Sequence, residues 1–136
     1  MAAGSASYGP LAAGRGCFDV DAFAAPSGHN AQAALFCSIA SPPELFNFEE
    51  THQVWAFPPP AAAPEVLKSA LSWNCKTIYA LVPVAVLKVS SAVDLWEVLY
   101  VYVSGETALG IFERPIHGEM VACKAPGFDM AVVQRR

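Results

Sequence analysis

Three side chains in the first half of the chain could be assembled into a nucleophilic device: Cys37, His52 and Glu49. In such a device the imidazole takes the thiol proton, the thiolate attacks an electrophile and the carboxylate orients the base. The surroundings of each residue speak against it. Cys37 lies inside the apolar run Ala34-Leu35-Phe36-Cys37-Ser38-Ile39, where a packed structural thiol is the expectation. Glu49-Glu50 is a lone acidic pair, which water solvates by default. The other cysteines, Cys17, Cys75 and Cys123, stand singly with no C-x-x-C pair, and Cys123 is the alternative to Cys37 as the nucleophile of a small hydrolase. His29, His52 and His117 are equally dispersed, with no acid at ligand spacing, so no metal site is expected. His117 precedes Gly118 in an expected turn, and Gly14-Arg15-Gly16 follows no strand and opens no helix, so it is not a phosphate loop. Trp55, Trp73, Trp96, Tyr100 and Tyr102 would make a stacking platform for bases or sugars. Their alternation with aliphatic residues reads instead as core or subunit contact. No catalytic, cofactor-binding or metal-binding residue is assigned, and the chain is read as a non-enzyme.

Composition bounds the rest. At 136 residues the chain is one domain with enough length to bury a core. Hydrophobic residues make up 54% and charged ones 15%, against about 25% charged in an ordinary domain. Mean hydropathy is +0.37. That is more apolar side chain than a body of this size hides within itself, so the surplus is expected to meet other protein across an interface built like a core cut in half. A bilayer is the weaker destination. The longest strongly apolar uncharged run, residues 77–87, is bounded by Lys76 and Lys88 and is about half of the roughly 20 residues that a spanning helix needs. The charge-free run from Ala22 to Pro43 is interrupted by Pro26, Ser27, Gly28, His29 and Asn30, and no basic-then-apolar leader opens the chain. A net charge of −4 argues against independent nucleic-acid binding. Arg135-Arg136 is the one basic pair and is expected to be solvated.

Residues 1–30, rich in Ala, Gly and Ser, read as an irregular arm without a core of its own, in which Phe18, Val20 and Phe23 alternate as one short strand would. Residues 31–136 read as the folded domain. Strands are expected over 34–39 and 53–57, each stopped by prolines that cannot donate to a ladder (Pro42-Pro43 and Pro58-Pro59-Pro60). Pro64 and Glu65 open a helix of about two turns near residues 64–73, with Val66, Leu67, Ala70 and Leu71 on one face. Trp73 is placed at the helix–sheet junction, where truncating a buried indole costs about 3–5 kcal/mol. Residues 77–89 form an expected strand that is apolar on both faces and so covered on both, with Pro83 demanding an edge or a bulge. Further strands are expected over 95–103, 107–113, 119–124 and 129–134, with turns at 104–106, 115–118 and 125–127. Short strands at turn intervals of about ten residues, with one short helix, predict an all-β protein built as an antiparallel β-sandwich or barrel.

One family shares this order. Pro59 through Val103 resembles the coat proteins of picorna-like viruses, closest to the small capsid subunit of comoviruses and related plant viruses of the secovirus group. The likeness lies in the proline-rich strand end, the helix Val66-Leu67-Lys68-Ser69-Ala70-Leu71, Trp73, the strand Thr77-Ile78-Tyr79-Ala80-Leu81, the loop with Asp94 and Trp96, and the strand Val98-Leu99-Tyr100-Val101-Tyr102. Ser38-Ile39-Ala40-Ser41-Pro42-Pro43 looks like the first strand's exit in that family. The resemblance implies a viral jelly roll and a structural capsid protein that assembles with other coat subunits into an icosahedral shell. It implies localisation in the virion and, during assembly, the host cytoplasm. Packaged RNA would be contacted indirectly, because the arm is not basic, and no membrane is involved. Family members run longer, so the last strands are expected to be compressed and the sandwich incomplete at its C-terminus, or the chain to be one product, fragment or domain of a longer coat precursor. The reading set against it is a cellular β-sandwich binding module for a carbohydrate, lipid or peptide ligand.

Overall fold

The computed structural model describes residues 2–3, 18–24, 26–28, 31, 33–89, 93–102, 112–116, 119–123 and 128–136. Among them are the strands β1 (Ala2–Ala3), β2 (Val20–Asp21), β3 (Leu35–Phe36), β4 (Gln53–Ala56), β5 (Thr77–Pro83), β6 (Trp96–Tyr102), β7 (Phe112–Ile116), β8 (Glu119–Cys123) and β9 (Met130–Arg135), with helices α1 (Ala63–Ser69) and α2 (Val84–Val89). The strands make a six-stranded sheet in the order β3-β2-β4-β5-β9-β6 and a three-stranded sheet in the order β1-β7-β8.

The β-rich class stands, but the larger sheet is mixed rather than antiparallel. β2 runs parallel to both β3 and β4, and β4 runs parallel to β5, while β9 is antiparallel to β5 and β6. Hairpin turns cannot make parallel neighbours; each pair needs a crossover of a dozen or more residues. The 20 residues between β4 and β5 supply one: a 3-10 turn at Pro60–Ala62, then α1, then a second 3-10 turn at Ala70–Ser72. What reads in sequence as a strand end followed by a short helix before Trp73 is therefore a βαβ unit.

α1 starts where Pro64 can sit, in the first turn where the missing N–H is not needed, and it carries Glu65 in its first turn and Lys68 in its last. Leu67 is fully buried and joins Val20, Val54, Ile78, Val82 and Val133 in one cluster on one face of the sheet. Several positions on that face are small (Ala56, Ala80, Ala131), which lets the helical layer approach closely. Trp96 fixes the layer from the side: its indole N–H donates to the Leu67 carbonyl at 3.2 Å. On the other face of β5, Leu81 is fully buried, and Tyr79 meets Phe18 edge-on with ring centroids 5.6 Å apart. β5 is thus covered on both faces, as its two-sided apolar pattern requires.

Four expectations change. The strand over 77–89 stops at Pro83, and the next six residues are α2. Pro83 sits neither on an edge strand nor at a bulge; it is the last residue of a central strand, where its missing N–H interrupts no further ladder bond. Residues 18–24, read as part of an arm, supply the centre of the parallel ladder, with Val20 and Ala22 fully buried. Arg135 is not simply solvated. Its Nη1 donates to the carbonyls of Ala70 and Trp73, both at 2.8 Å, and its Nη2 donates to that of Cys75 at 2.7 Å. The Ala70 and Trp73 carbonyls already accept from the N–H groups of Trp73 and Cys75, and the guanidinium fork adds a charged donor to each from β9 as well as reaching the Cys75 carbonyl. The turn expected at 104–106 lies outside the described residues.

Candidate functional site

In a parallel sheet all the carboxyl ends lie along one edge. From the adjacent strands β2 and β4 the chain leaves in opposite directions, to β3 on one side and to β5 on the other. Connections that part in this way leave a crevice above the strand ends, the usual ligand position in open sheets with parallel strands. A cavity of about 770 Å³ lies there. Phe23 and Ala24 follow β2, Ser38 and Ile39 follow β3, and Phe57 with Pro58, Pro59 and Pro60 follows β4. Met130 and Phe128 close the far side from the start of β9, next to the end of β5. The walls are apolar and stiff, with five prolines among the lining residues and each proline's φ locked. Among the described residues, Ser38 and Glu44 are the polar side chains of the lining.

The loops are held by their own backbone. Ala22 N–H donates to the Trp55 carbonyl and Ala24 N–H to that of Cys37, which extends the pairing past β2. Asp21, buried at the end of β2, accepts from the Phe23 N–H at 3.0 Å. Ser38 and Ser41 exchange backbone hydrogen bonds, and Ser38 Oγ accepts from the N–H groups of Ala40 and Ser41. Ile39 is left 90% exposed at the tip of that turn. A 3-10 turn at Pro43–Leu45 then presents Glu44. Behind the turn, Gly28 adopts φ +73° with its α-carbon against the Phe36 ring, where a methyl group would come within 2.7 Å of ring carbons.

The imagined thiol device is taken apart by this architecture. β2 aligns Phe36 with Trp55, so Cys37 stands level with Ala56, at the carboxyl end of the sheet. His52 precedes β4 at the amino end, four residues back, or about 13 Å along the strand. The imidazole is engaged locally: Nδ1 accepts from the Glu49 N–H at 3.1 Å, and Nε2 lies 3.8 Å from the Glu49 carboxylate. Cys37 is fully buried, and burial, reinforced by the charges of Asp21 and Glu44, raises its pKa to about 11. A thiol so protected is not a thiolate nucleophile at neutral pH. Cys75 is also raised, by burial, partly offset by the Arg135 cation and its hydrogen bond.

Among the described residues no three His, Cys, Asp or Glu side chains group as metal ligands would. No helix among them is long and apolar enough to cross a membrane. Cys17, His29, His117 and the Gly14-Arg15-Gly16 stretch lie outside the described residues, as do the side chains of Cys123 and Tyr102. The aromatic residues do not form one platform. Trp55 and Trp96 are buried, Trp73 is half-buried and stacked on Phe48 with centroids 5.0 Å apart, and Tyr100 lies exposed on β6. Comparison with family models, curated proteins and solved structures gives no match to this chain. Function therefore has to be argued from the cleft itself.

The residues that form the cleft were visible in sequence as punctuation only. Pro42-Pro43 and Pro58-Pro59-Pro60 read as strand stops, which they are, and also become walls because the strands they stop are parallel. Phe23 and Phe57 read as strand residues, and neither they nor Phe128 carried a signal for a cleft.

Proposed function

We propose that this domain is a binding module whose ligand is a small, largely apolar molecule held in the cleft at the carboxyl ends of β2, β3 and β4. The cleft's position at the reversal of strand order carries the reading. Its volume lies in the range of small-molecule sites, and few of its groups can hydrogen-bond, which favours an apolar or lipid-like ligand over a sugar. Stiff walls support binding because little ordering is left to be done when a ligand enters. Titration with a neutral apolar fluorophore such as N-phenylnaphthylamine tests the proposal. Saturable binding of one probe per chain is expected, weakened by Phe128→Ser and Ile39→Ser, two exposed lining positions whose replacement should leave the melting temperature unchanged. Unsaturable partitioning, or binding indifferent to both changes, refutes it.

The coat-subunit reading remains as a second proposal on a separate observation. Edge strand β6 exposes Val98, Tyr100 and Val101, at 48%, 41% and 41%, the kind of apolar strand surface that subunit contacts cover. Its jelly-roll component would have to accommodate the parallel run β3-β2-β4-β5. Assembly into large closed particles, seen by light scattering or negative-stain microscopy, supports it; a stable monomer at high concentration counts against it.

A further inference from the structure

Resting on the binding reading above, we propose that the ligand is an organic cation: a protonated amine or quaternary ammonium carried on an apolar or aromatic body. The cleft is chemically one-sided. Among the described residues, Glu44 is the charged side chain in its lining, and no lysine, arginine or histidine lines it. Among the described residues none of these stands within ion-pair distance of Glu44, and its carboxylate is exposed at the mouth. A second carboxylate, Asp21, is buried at the end of β2 and accepts from the N–H of the lining residue Phe23. Both acids lie near enough to Cys37 at these strand ends to oppose its ionisation.

The apolar part of the site suits the same ligand. Phe23, Phe57 and Phe128 line it, and an aromatic ring attracts a cation through its quadrupole while packing against the ligand's body. An anion of the same shape would meet the Glu44 carboxylate instead. A neutral ligand would gain the packing alone. The chain's net charge of −4 adds a weak long-range pull in the same direction.

Three naphthalenes of one size separate these cases: naphthylmethylammonium, naphthylmethanol and naphthoate. Each is titrated into the full chain at neutral pH and followed through the backbone amide NMR shifts of Ala24, Ser38 and Ala62, at low and at high salt. The amine should bind tightest, the alcohol next and the carboxylate weakest. Glu44→Gln should weaken the amine by up to about fivefold, the scale of a solvent-exposed ion pair, and leave the alcohol unchanged. The amine's advantage should also shrink at high salt. Glu44→Lys should invert the order of amine and carboxylate. If amine and alcohol bind alike, or Glu44→Gln spares the amine's advantage, the cation proposal fails and the apolar-cleft reading survives. If none of the three moves those amides, both fail.

Discussion

Replacing Arg135 by alanine gives the sharpest test of how the sheet and its helical layer are joined. The guanidinium makes three hydrogen bonds to main-chain carbonyls, at 2.8, 2.8 and 2.7 Å, all within the segment that ends the βαβ crossover. A hydrogen bond to a charged group contributes about 1.5–3 kcal/mol net, which would sum to roughly 4–9 kcal/mol if all three were dry. Two effects reduce that figure. The side chain is partly exposed, so water can replace some of what is lost, and holding a long arginine in one geometry costs up to about 2 kcal/mol of rotamer entropy. A loss of about 2–4 kcal/mol is expected, read as a fall in the urea midpoint at unchanged slope. Arg135→Lys discriminates between charge and shape. An ammonium keeps the charge but cannot span three carbonyls as a planar fork does, so it should recover less than half of the loss. A loss below about 0.5 kcal/mol for Arg135→Ala, the range of an ordinary surface substitution, would refute the clamp. Lysine performing as well as arginine would show that only charge near the helix end matters.

Three more outcomes follow from the structure. The folded Cys37 thiol holds its proton to about pH 11, so its contribution to stability is complete below the unfolded thiol's pKa and is lost as pH rises through that window. Wild type should therefore lose about 2–3 kcal/mol more than Cys37→Ala between pH 8 and pH 11, and parallel pH–stability curves would refute this. Gly28→Ala forces a side chain into left-handed backbone against the Phe36 ring; a loss of about 1–3 kcal/mol is expected by chemical denaturation, and a neutral result would show that the turn is not formed. Trp73→Ala removes a half-buried indole stacked on Phe48, so its cost should be about 2 kcal/mol rather than the 3–5 of a fully buried one. A loss above about 4 kcal/mol by the same measurement would place the ring in the core.

Local chemistry was legible where it is self-contained. The helix after Pro64, the proline-ended strand β4 and the two-sided burial of β5 follow from residue types a few positions apart. Strand direction was not legible, because the alternation of apolar residues in Gln53–Ala56 is the same whether the neighbouring strand runs up or down. The arrangement of β2, β3 and β4 therefore read as antiparallel until the pairing Val20↔Leu35 and Val20↔Val54 was seen. Val84–Val89 was misread for a related reason. Its Val-rich composition favours a strand, yet α2 starts there directly after β5, once the Val84 N–H has made a last bond to the Asp129 carbonyl, with Val86 packed into the core. Arg135 showed only charge in sequence, and its partners lie 60–65 positions away. The cleft was invisible for the same reason as the parallel sheet: its walls are strand exits that only the topology brings together.

The position of β9 sets the timetable of folding. β5 and β6 follow one another in the chain, yet they are not neighbours, since β9 stands between them and pairs with both. Until residues 130–135 arrive, neither strand has its partner on that side, and Arg135 cannot yet close over the end of the crossover segment. Closure of the long loop that carries β7 and β8 from β6 to β9 must therefore come before the sheet is continuous, and an emerging polypeptide would carry two unpaired strand margins from the completion of β6 at Tyr102 until β9 is made. A protease cut in that loop after folding should be survivable, whereas the same cut beforehand should leave two halves unable to find a common sheet.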